Sequence, residues 1–206
     1  MKAKIKVGIA GYGIVGKRRG EFIQKNDNMD LVAVCDRNFE KDGEFDNNIY
    51  CYRDYKDLLG HDIDAIFVCL TNDVAAKVTI DGLMSGKHVF CEKPPGQNPQ
   101  QVSEVIKAQS KNLSLKLKYG FNHRYHDSIK DALKIIKTNE LGNIIDLNAV
   151  YGKSKVVTAT GPNADWRSKR EIAGGGILLD QGIHMVDLIR YFAGEFDGRG
   201  HFFGNN

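Results

Sequence analysis

Apolar and polar positions alternate in two registers along the first 121 residues. Short β-rich apolar runs fall at Ile5–Ala10, Leu31–Cys35, Ala65–Leu70, His88–Cys91 and Leu115–Phe121. Amphipathic or polar stretches of helical length lie between them, at Val15–Lys25, Val74–Ser85 and Gln100–Ser110. Strands alternating with helices predict βαβ units, and so a parallel sheet covered by helices on both faces. Asn98-Pro99 marks the start of one helix, because Asn caps an N-terminus and Pro suits the first turn. The pattern changes after Phe121. Tyr125–Asn139 reads as a helix with Ile129, Leu133, Ile135 and Ile136 on its apolar side. Ile144–Tyr151 reads as a strand, Lys153–Ile172 is polar and basic, and Ile177–Phe192 reads as a buried helix after Gly174-Gly175-Gly176. One helix with one or two strands cannot close a second core, so the chain reads as part of a longer one. By itself this piece is expected to aggregate or to act poorly.

Composition narrows the choices. The 206 residues are 42% hydrophobic and 27% charged, with a net charge of +3. Those values suit a soluble globular protein and give no dense basic face for nucleic acid. The charged N-terminus runs straight into a glycine loop, which reads as a first strand and not a leader. No apolar run approaches the roughly 20 residues that span a bilayer. Cys35, Cys51, Cys69 and Cys91 form no C-x-x-C pair, and reduced, buried thiols in a cytoplasmic protein are expected. No metal site is expected.

Three clusters carry candidate chemistry. Gly11-Tyr12-Gly13-Ile14-Val15-Gly16 follows the first strand and opens a helix, the context in which G-x-G-x-x-G cradles a pyrophosphate on backbone N–H groups and the positive end of a helix dipole. Asp36 stands 20 residues past Gly16, where a carboxylate binds adenosine ribose hydroxyls and disfavours a 2′-phosphate. Arg37 beside it leaves NADP open, and a simple turn residue is the other reading of Asp36. Lys17-Arg18-Arg19 reads as a solvated helix face. Glu92-Lys93-Pro94-Pro95 ends the fourth strand, the edge at which open α/β sheets bind ligands; taken alone, Glu-Lys is more often a surface pair. Asp180 and His184 are four apart and share a face if helical. Ringed by Ile177, Leu178, Leu179, Ile183, Met185 and Val186, the pair suits general-base work. On these residues alone a buried histidine satisfied by its neighbouring carboxylate is the commoner arrangement.

Together, G-x-G-x-x-G, Asp36, Glu92-Lys93-Pro94 and Asp180-x-Gly182-x-His184 followed by Asp187 resemble the Gfo/Idh/MocA oxidoreductases over essentially the whole chain. The resemblance implies an N-terminal Rossmann doubly wound parallel sheet over residues 1–122. Residues 123–206 would then be an incomplete α/β domain of the Gfo/Idh/MocA C-terminal type, for substrate binding and oligomerisation. It implies NAD as cofactor, with NADP also open, a small sugar or sugar-nucleotide substrate, and a homo-oligomer when full length. Lys93, Asp180 and His184 would be catalytic. Gly11, Gly13, Ile14, Val15, Gly16, Asp36, Arg37, Thr71, Asn72, Glu92, Lys93, Trp166 and Arg167 would hold the cofactor. The family often carries Thr-Pro-Asn-x-x-His where this chain has Thr71-Asn72-Asp73-Val74-Ala75-Ala76, which weakens the carry-over of Thr71 and Asn72. Lys153, Lys155, Arg167, Lys169 and Arg170 could hold a sugar diphosphate or form a solvated loop. A non-catalytic dinucleotide sensor and an NAD-dependent glycoside hydrolase are the competing functions.

Overall fold

The computed structural model describes residues 3–46, 48–152 and 166–196. Residues 3–120 and 166–176 form one compact unit, and residues 121–152 and 177–196 form a second. Lys153 and Lys155, and the aromatic run at 198–206, lie outside the described residues.

The first unit is built on a seven-stranded sheet. In chain order its elements are β1 (Ile5–Ala10), α1 (Ile14–Gln24), β2 (Met29–Cys35), β3 (Gly43–Asp46), β4 (Ile49–Tyr52), α2 (Tyr55–Gly60), β5 (Ala65–Val68), α3 (Asn72–Met84), β6 (His88–Cys91), α4 (Pro99–Ser110) and β7 (Leu117–Tyr119). The strand order is β3-β4-β2-β1-β5-β6-β7. Every pairing is parallel except β3 with β4. Side chains alternate across the pleat, so each central strand feeds two cores. Val7, Ile9, Leu31 and Val34 pack on one face with Ile23 of α1. Ala10, Ala33, Ile66, Val68 and Val89 pack on the other with Leu58, Val78 and Leu83. The order reverses at β1, with β2 on one side and β5 on the other. Ligands bind at such a switch point, beyond the carboxyl ends of the strands.

The five strands and three helices expected before Phe121 are all present, with ends displaced by a few residues. Asn98 caps α4 as expected, accepting a hydrogen bond from the Gln101 amide at 3.0 Å. The hairpin β3–β4 and the short α2 were not expected. Asp54 caps α2 by accepting from the Lys56 amide. Cys35, Cys51, Cys69 and Cys91 are free, and all but Cys69 are fully buried. Burial pushes the thiols of Cys35 and Cys91 up to about 12, so neither is a nucleophilic thiolate at neutral pH.

The second unit contains a 3₁₀ turn at Asn122–Tyr125, α5 (Asp127–Thr138), a π-helical turn at Leu178–Gly182 and α7 (Ile183–Ala193); the four-residue α6 (Arg170–Ala173) belongs to the first unit. Two expectations are corrected here. Ile144–Tyr151 forms no strand: it has no ladder partner among the described residues, and Ile145 and Val150 are almost wholly exposed. The apolar residues of 177–192 are not the buried ones. Ile177 and Leu178 are exposed, while Gln181, His184 and Asp187 are buried. Of the apolar residues expected to ring Asp180 and His184, Leu179, Ile183, Met185 and Val186 are half-buried, and Ile177 and Leu178 are exposed. By length and composition alone the helical stretch Arg170–Ala193 is apolar enough to cross a bilayer, a longer apolar stretch than expected. Bends at Gly174, Gly175 and Gly176 break it, and it carries Asp180, His184, Asp187 and Arg190.

Candidate functional site

Two glycines shape the loop between β1 and α1. Gly11 sits at φ +91°, a left-handed conformation, and a Cβ there would lie 2.5 Å from the Cys69 carbonyl oxygen. A Cβ on Gly16 would lie 2.0 Å from the Gly11 carbonyl oxygen. Both positions are closed to any other residue unless the backbone moves. A Cβ on Gly13 would meet nothing within 4 Å, so the face of the loop at Gly13 is open. Gly13 is also the N-cap of α1 and offers no side-chain acceptor; the first turn, Ile14 and Val15 included, carries no acidic residue. The first-turn amides and the positive dipole end are thus left for an outside anion.

Asp36 follows β2 and is held by three hydrogen bonds. Its Oδ2 accepts from the Tyr12 amide at 3.0 Å, and its Oδ1 accepts from the backbone amide and Nδ2 of Asn38 at 3.0 and 2.8 Å. The carboxylate is fixed against the glycine loop, as binding a ribose beside a pyrophosphate requires. Tyr12 packs against Phe39 and Phe45, which places the unexpected hairpin at this end of the site. Arg37 is exposed and lines an open pocket of about 430 Å³ with Glu40, Lys41, Asp42, Arg53, Asp54 and Asp57. Four carboxylates face three cations there.

Glu92 and Lys93 leave β6, and the Lys93–Pro94 peptide is cis. Glu92 accepts from Arg19 of α1, with Nε at 2.7 Å and the terminal nitrogen at 2.5 Å. The same guanidinium lies 5.2 Å from the centre of the Phe90 ring. Arg19 therefore ties the helix behind the glycine loop to the strand end that carries Lys93. Nothing in the local pattern of Lys17-Arg18-Arg19 separates this arginine from its solvated neighbours; only the fold brings it to Glu92. An Arg19→Met variant is expected to keep the fold and weaken dinucleotide binding about tenfold, which corresponds to ~1.4 kcal/mol. Calorimetric titration measures this, and an unchanged Kd would show that Arg19 does not position the site.

Thr71 is the N-cap of α3 without a side-chain cap bond, and Asn72 is buried, its Nδ2 donating to the Ala173 carbonyl at 2.9 Å. Gln97 Nε2 donates to the carbonyls of Glu171 and Ile172 at 2.9 and 2.8 Å. These bonds fasten residues 171–173 to the first unit, next to a 3₁₀ turn at Trp166–Ser168 in which the Arg167 guanidinium lies 4.4 Å from the Trp166 ring centre.

In the second unit Asp180 lies in the π-helical turn, where its Oδ2 accepts from Gln181 Nε2 at 2.6 Å. Single π turns inside helices occur often at functional sites. His184 is the second residue of α7 and is only 5% exposed. Its ring stacks on that of His123, 4.1 Å between centres and 9° from parallel, and meets Phe121 edge-on at 6.2 Å. Asp187, one turn on, is gripped by Arg124 through two bonds of 2.7 and 2.5 Å. His123 and Arg124, adjacent in one 3₁₀ turn, thus hold two successive turns of α7. Neither was singled out from the sequence.

The Gfo/Idh/MocA oxidoreductase family profile, described as an NAD-binding Rossmann fold, matches residues 5–120. The Gfo/Idh/MocA C-terminal domain profile matches residues 129–198. The chain is 31% identical over 201 residues to D-glucoside 3-dehydrogenase of Escherichia coli (strain K12), covering 92% of this chain and 54% of the relative. It is 28% identical over 200 residues to myo-inositol 2-dehydrogenase of Thermotoga maritima, covering 93% and 55%. The crystal structure of myo-inositol 2-dehydrogenase from Lactobacillus plantarum superposes with a TM-score of 0.74 at 29% identity, covering 93% of this chain and 57% of that one. The chain therefore spans about half the length of the curated relatives it matches. With both profiles matched in order and a Rossmann sheet beneath the first, the chain belongs to the Gfo/Idh/MocA family of oxidoreductases.

Proposed function

We propose that this chain is the cofactor-binding and proton-accepting part of an NAD-dependent dehydrogenase acting on a hydroxyl-bearing ring carbon of a free sugar or cyclic polyol. The observation that carries the reading is a buried histidine, His184, on an interrupted helix with Asp180, in a chain whose other unit holds an open dinucleotide cradle. The relatives named for a glucoside and an inositol support a hydroxyl-rich ring as substrate.

The residues fit NAD. The amides around Gly13, Ile14 and Val15 face an uncapped helix start, and Asp36 accepts at the position of a ribose. Asp36 and the acidic surroundings of Arg37 disfavour the extra phosphate of NADP. Thr71, Glu92, Trp166 and Arg167 complete the cofactor set. Asn72 serves it indirectly, since its amide is occupied by Ala173. Bound NAD supplies the hydride acceptor. Lys93 hydrogen-bonds the substrate hydroxyl and stabilises the charge that develops on its oxygen; His184 accepts the hydroxyl proton at a ring nitrogen; Asp180 binds and orients the substrate. Residues 1–122 are read as the cofactor domain and 123–206 as part of the substrate domain, with residues 166–176 packed in the first unit beside the cofactor set, and the free cysteines suit a reducing, cytoplasmic setting.

The test is absorbance of reduced cofactor from the full-length protein, with NAD or NADP, against glucosides, inositols and sugar nucleotides. NADH accumulation with free rings is expected. Turnover of sugar nucleotides alone would overturn the substrate class, and glycoside cleavage without net NADH would mean hydrolysis. A Lys93→Ala variant is expected to lose about 100-fold in kcat, in line with removal of one charge-stabilising donor, while still binding NAD. Full turnover by that variant would refute the role of Lys93, and absence of turnover in the parent despite NAD binding would leave a sensor as the better reading.

A further inference from the structure

One turn of helix cannot hold itself. α6 is four residues long, and an isolated turn of that length is unstable in water. Its last carbonyls also lack partners within the helix. Three of them are taken up by side-chain amides from elsewhere in the first unit. Gln97 Nε2 donates to the carbonyls of Glu171 and Ile172, 74 and 75 residues away, and Asn72 Nδ2 donates to that of Ala173, 101 residues away. Gly174 ends the turn at φ +79°. A Cβ on Gly174 would lie 2.5 Å from the Gln97 Cβ and 2.8 Å from its Cα, so the end of α6 is seated directly on Gln97.

Gln97 is itself braced. Its backbone amide donates to Gln101 Oε1 at 2.8 Å, and Gln101 Nε2 donates back to Gln97 Oε1 at 3.2 Å. Gln101 stands in the first turn of α4, whose start Asn98 caps. The side-chain oxygen of Gln97 thus faces α4 and its nitrogen faces α6. Both clamps lie where the sheet binds ligands. Asn72 directly follows Thr71 beyond β5, and Gln97 follows Lys93 in the loop beyond β6, each past the carboxyl end of its strand. On its other side α6 is hydrogen-bonded to the turn that carries Trp166 and Arg167. The Lys169 amide donates to the Trp166 carbonyl at 3.0 Å, and the Lys169 carbonyl accepts from the Ile172 and Ala173 amides at 3.0 and 2.8 Å. What fastens residues 171–174 therefore also fixes Trp166 and Arg167.

We infer that Gln97 is a positioning residue for the dinucleotide: by seating the end of α6 it holds the Trp166–Arg167 turn at the carboxyl edge of the sheet before the cofactor arrives. This rests on reading Trp166 and Arg167 as part of the cofactor set. A segment already in its bound arrangement binds without first being ordered, and one that occupies that arrangement about a tenth of the time binds about tenfold more weakly.

The experiment is hydrogen exchange of the Ile172, Ala173 and Gly174 amides in the full-length protein, with and without saturating NAD, beside a calorimetric titration with NAD. Two variants are compared with the parent. Gln97→Glu keeps the acceptor for Gln101 and removes the donor to α6. Gly174→Ala drives the end of α6 off Gln97 with its added Cβ. In the parent these amides are expected to be protected with and without NAD. In both variants protection is expected to be lost in the free protein and regained when NAD binds, with the Kd for NAD raised about tenfold. The KM for NAD is expected to rise with it, by more than kcat falls. A clamp that only supports the fold would not give protection back on cofactor binding. Variants that exchange faster yet bind NAD as the parent does, or whose amides NAD does not protect again, would overturn the inference, as would amides that stay protected in both variants. A parent that binds no NAD would overturn the cofactor reading and this inference together, which the variant results alone would not.

Discussion

Replacing Arg124 by Met is expected to cost about 1–3 kcal/mol in the second unit, the usual consequence of leaving a buried polar group unsatisfied, since Asp187 is buried and Arg124 is about a third exposed. Asp187 is buried at 8% exposure and loses both of its bonds at once. Methionine keeps much of the apolar stem that lies over Tyr191, where the guanidinium now sits 4.8 Å from the ring centre. The effect is therefore electrostatic and not a packing defect. Hydrogen exchange of the amides of α7 is the direct measurement, with protection expected to fall throughout Ile183–Ala193. Adding Asp187→Leu to the same chain removes the stranded carboxylate and is expected to restore most of the protection. If the single variant exchanges like the parent, the pair does not hold α7.

A Gly16→Val substitution is expected to abolish NAD binding, with Kd raised more than about 100-fold. The clash is with backbone: the added Cβ would sit 2.0 Å from the Gly11 carbonyl oxygen, and Gly11 is itself wedged against Cys69 at a positive φ. The loop can relieve the overlap only by lifting away from α1, which takes the first-turn amides out of register with a pyrophosphate. Overpacking of this kind costs roughly 1–3 kcal/mol in stability as well, so the titration is read beside a thermal unfolding curve. A folded Gly16→Val protein that binds NAD as the parent does would mean that the cradle is not where the dinucleotide rests.

Local pattern carried most of the first unit. Strands such as Ile5–Ala10 are short apolar runs buried on both faces, and the glycine loop is a local device, so neighbours in sequence suffice to read them. The hairpin at Gly43–Tyr52 escaped because β3 is nearly all exposed and its segment is rich in Asp and Asn, which read as loop. Arg19 and Asn72 escaped for a different reason. Their partners lie 73 and 101 residues away, and nothing local marks a side chain for a distant ion pair or carbonyl. In the second unit pattern misled. Ile144–Tyr151 has strand-like composition, but a strand exists only with a partner. The helix Ile177–Phe192 was legible, but not that its fully buried side chains are Gln181, His184 and Asp187, with the apolar residues of α7 only half-buried; His184 and Asp187 meet the Asn122–Tyr125 turn. The Asp180/His184 spacing was legible; the stacked histidine beside it was not.

The hydrogen bond from the Tyr12 amide to Asp36 bears on any attempt to retool this chain for the phosphorylated dinucleotide. Position 36 is not an independent dial for cofactor choice, because the carboxylate that would be removed to admit a 2′-phosphate also anchors the glycine turn proposed to hold the pyrophosphate. A redesign that exchanges Asp36 for a neutral donor must hand the Tyr12 amide a new acceptor. Otherwise the gain at the ribose end is set against a loosened grip at the other, and selectivity shifts only at the expense of affinity for both cofactors.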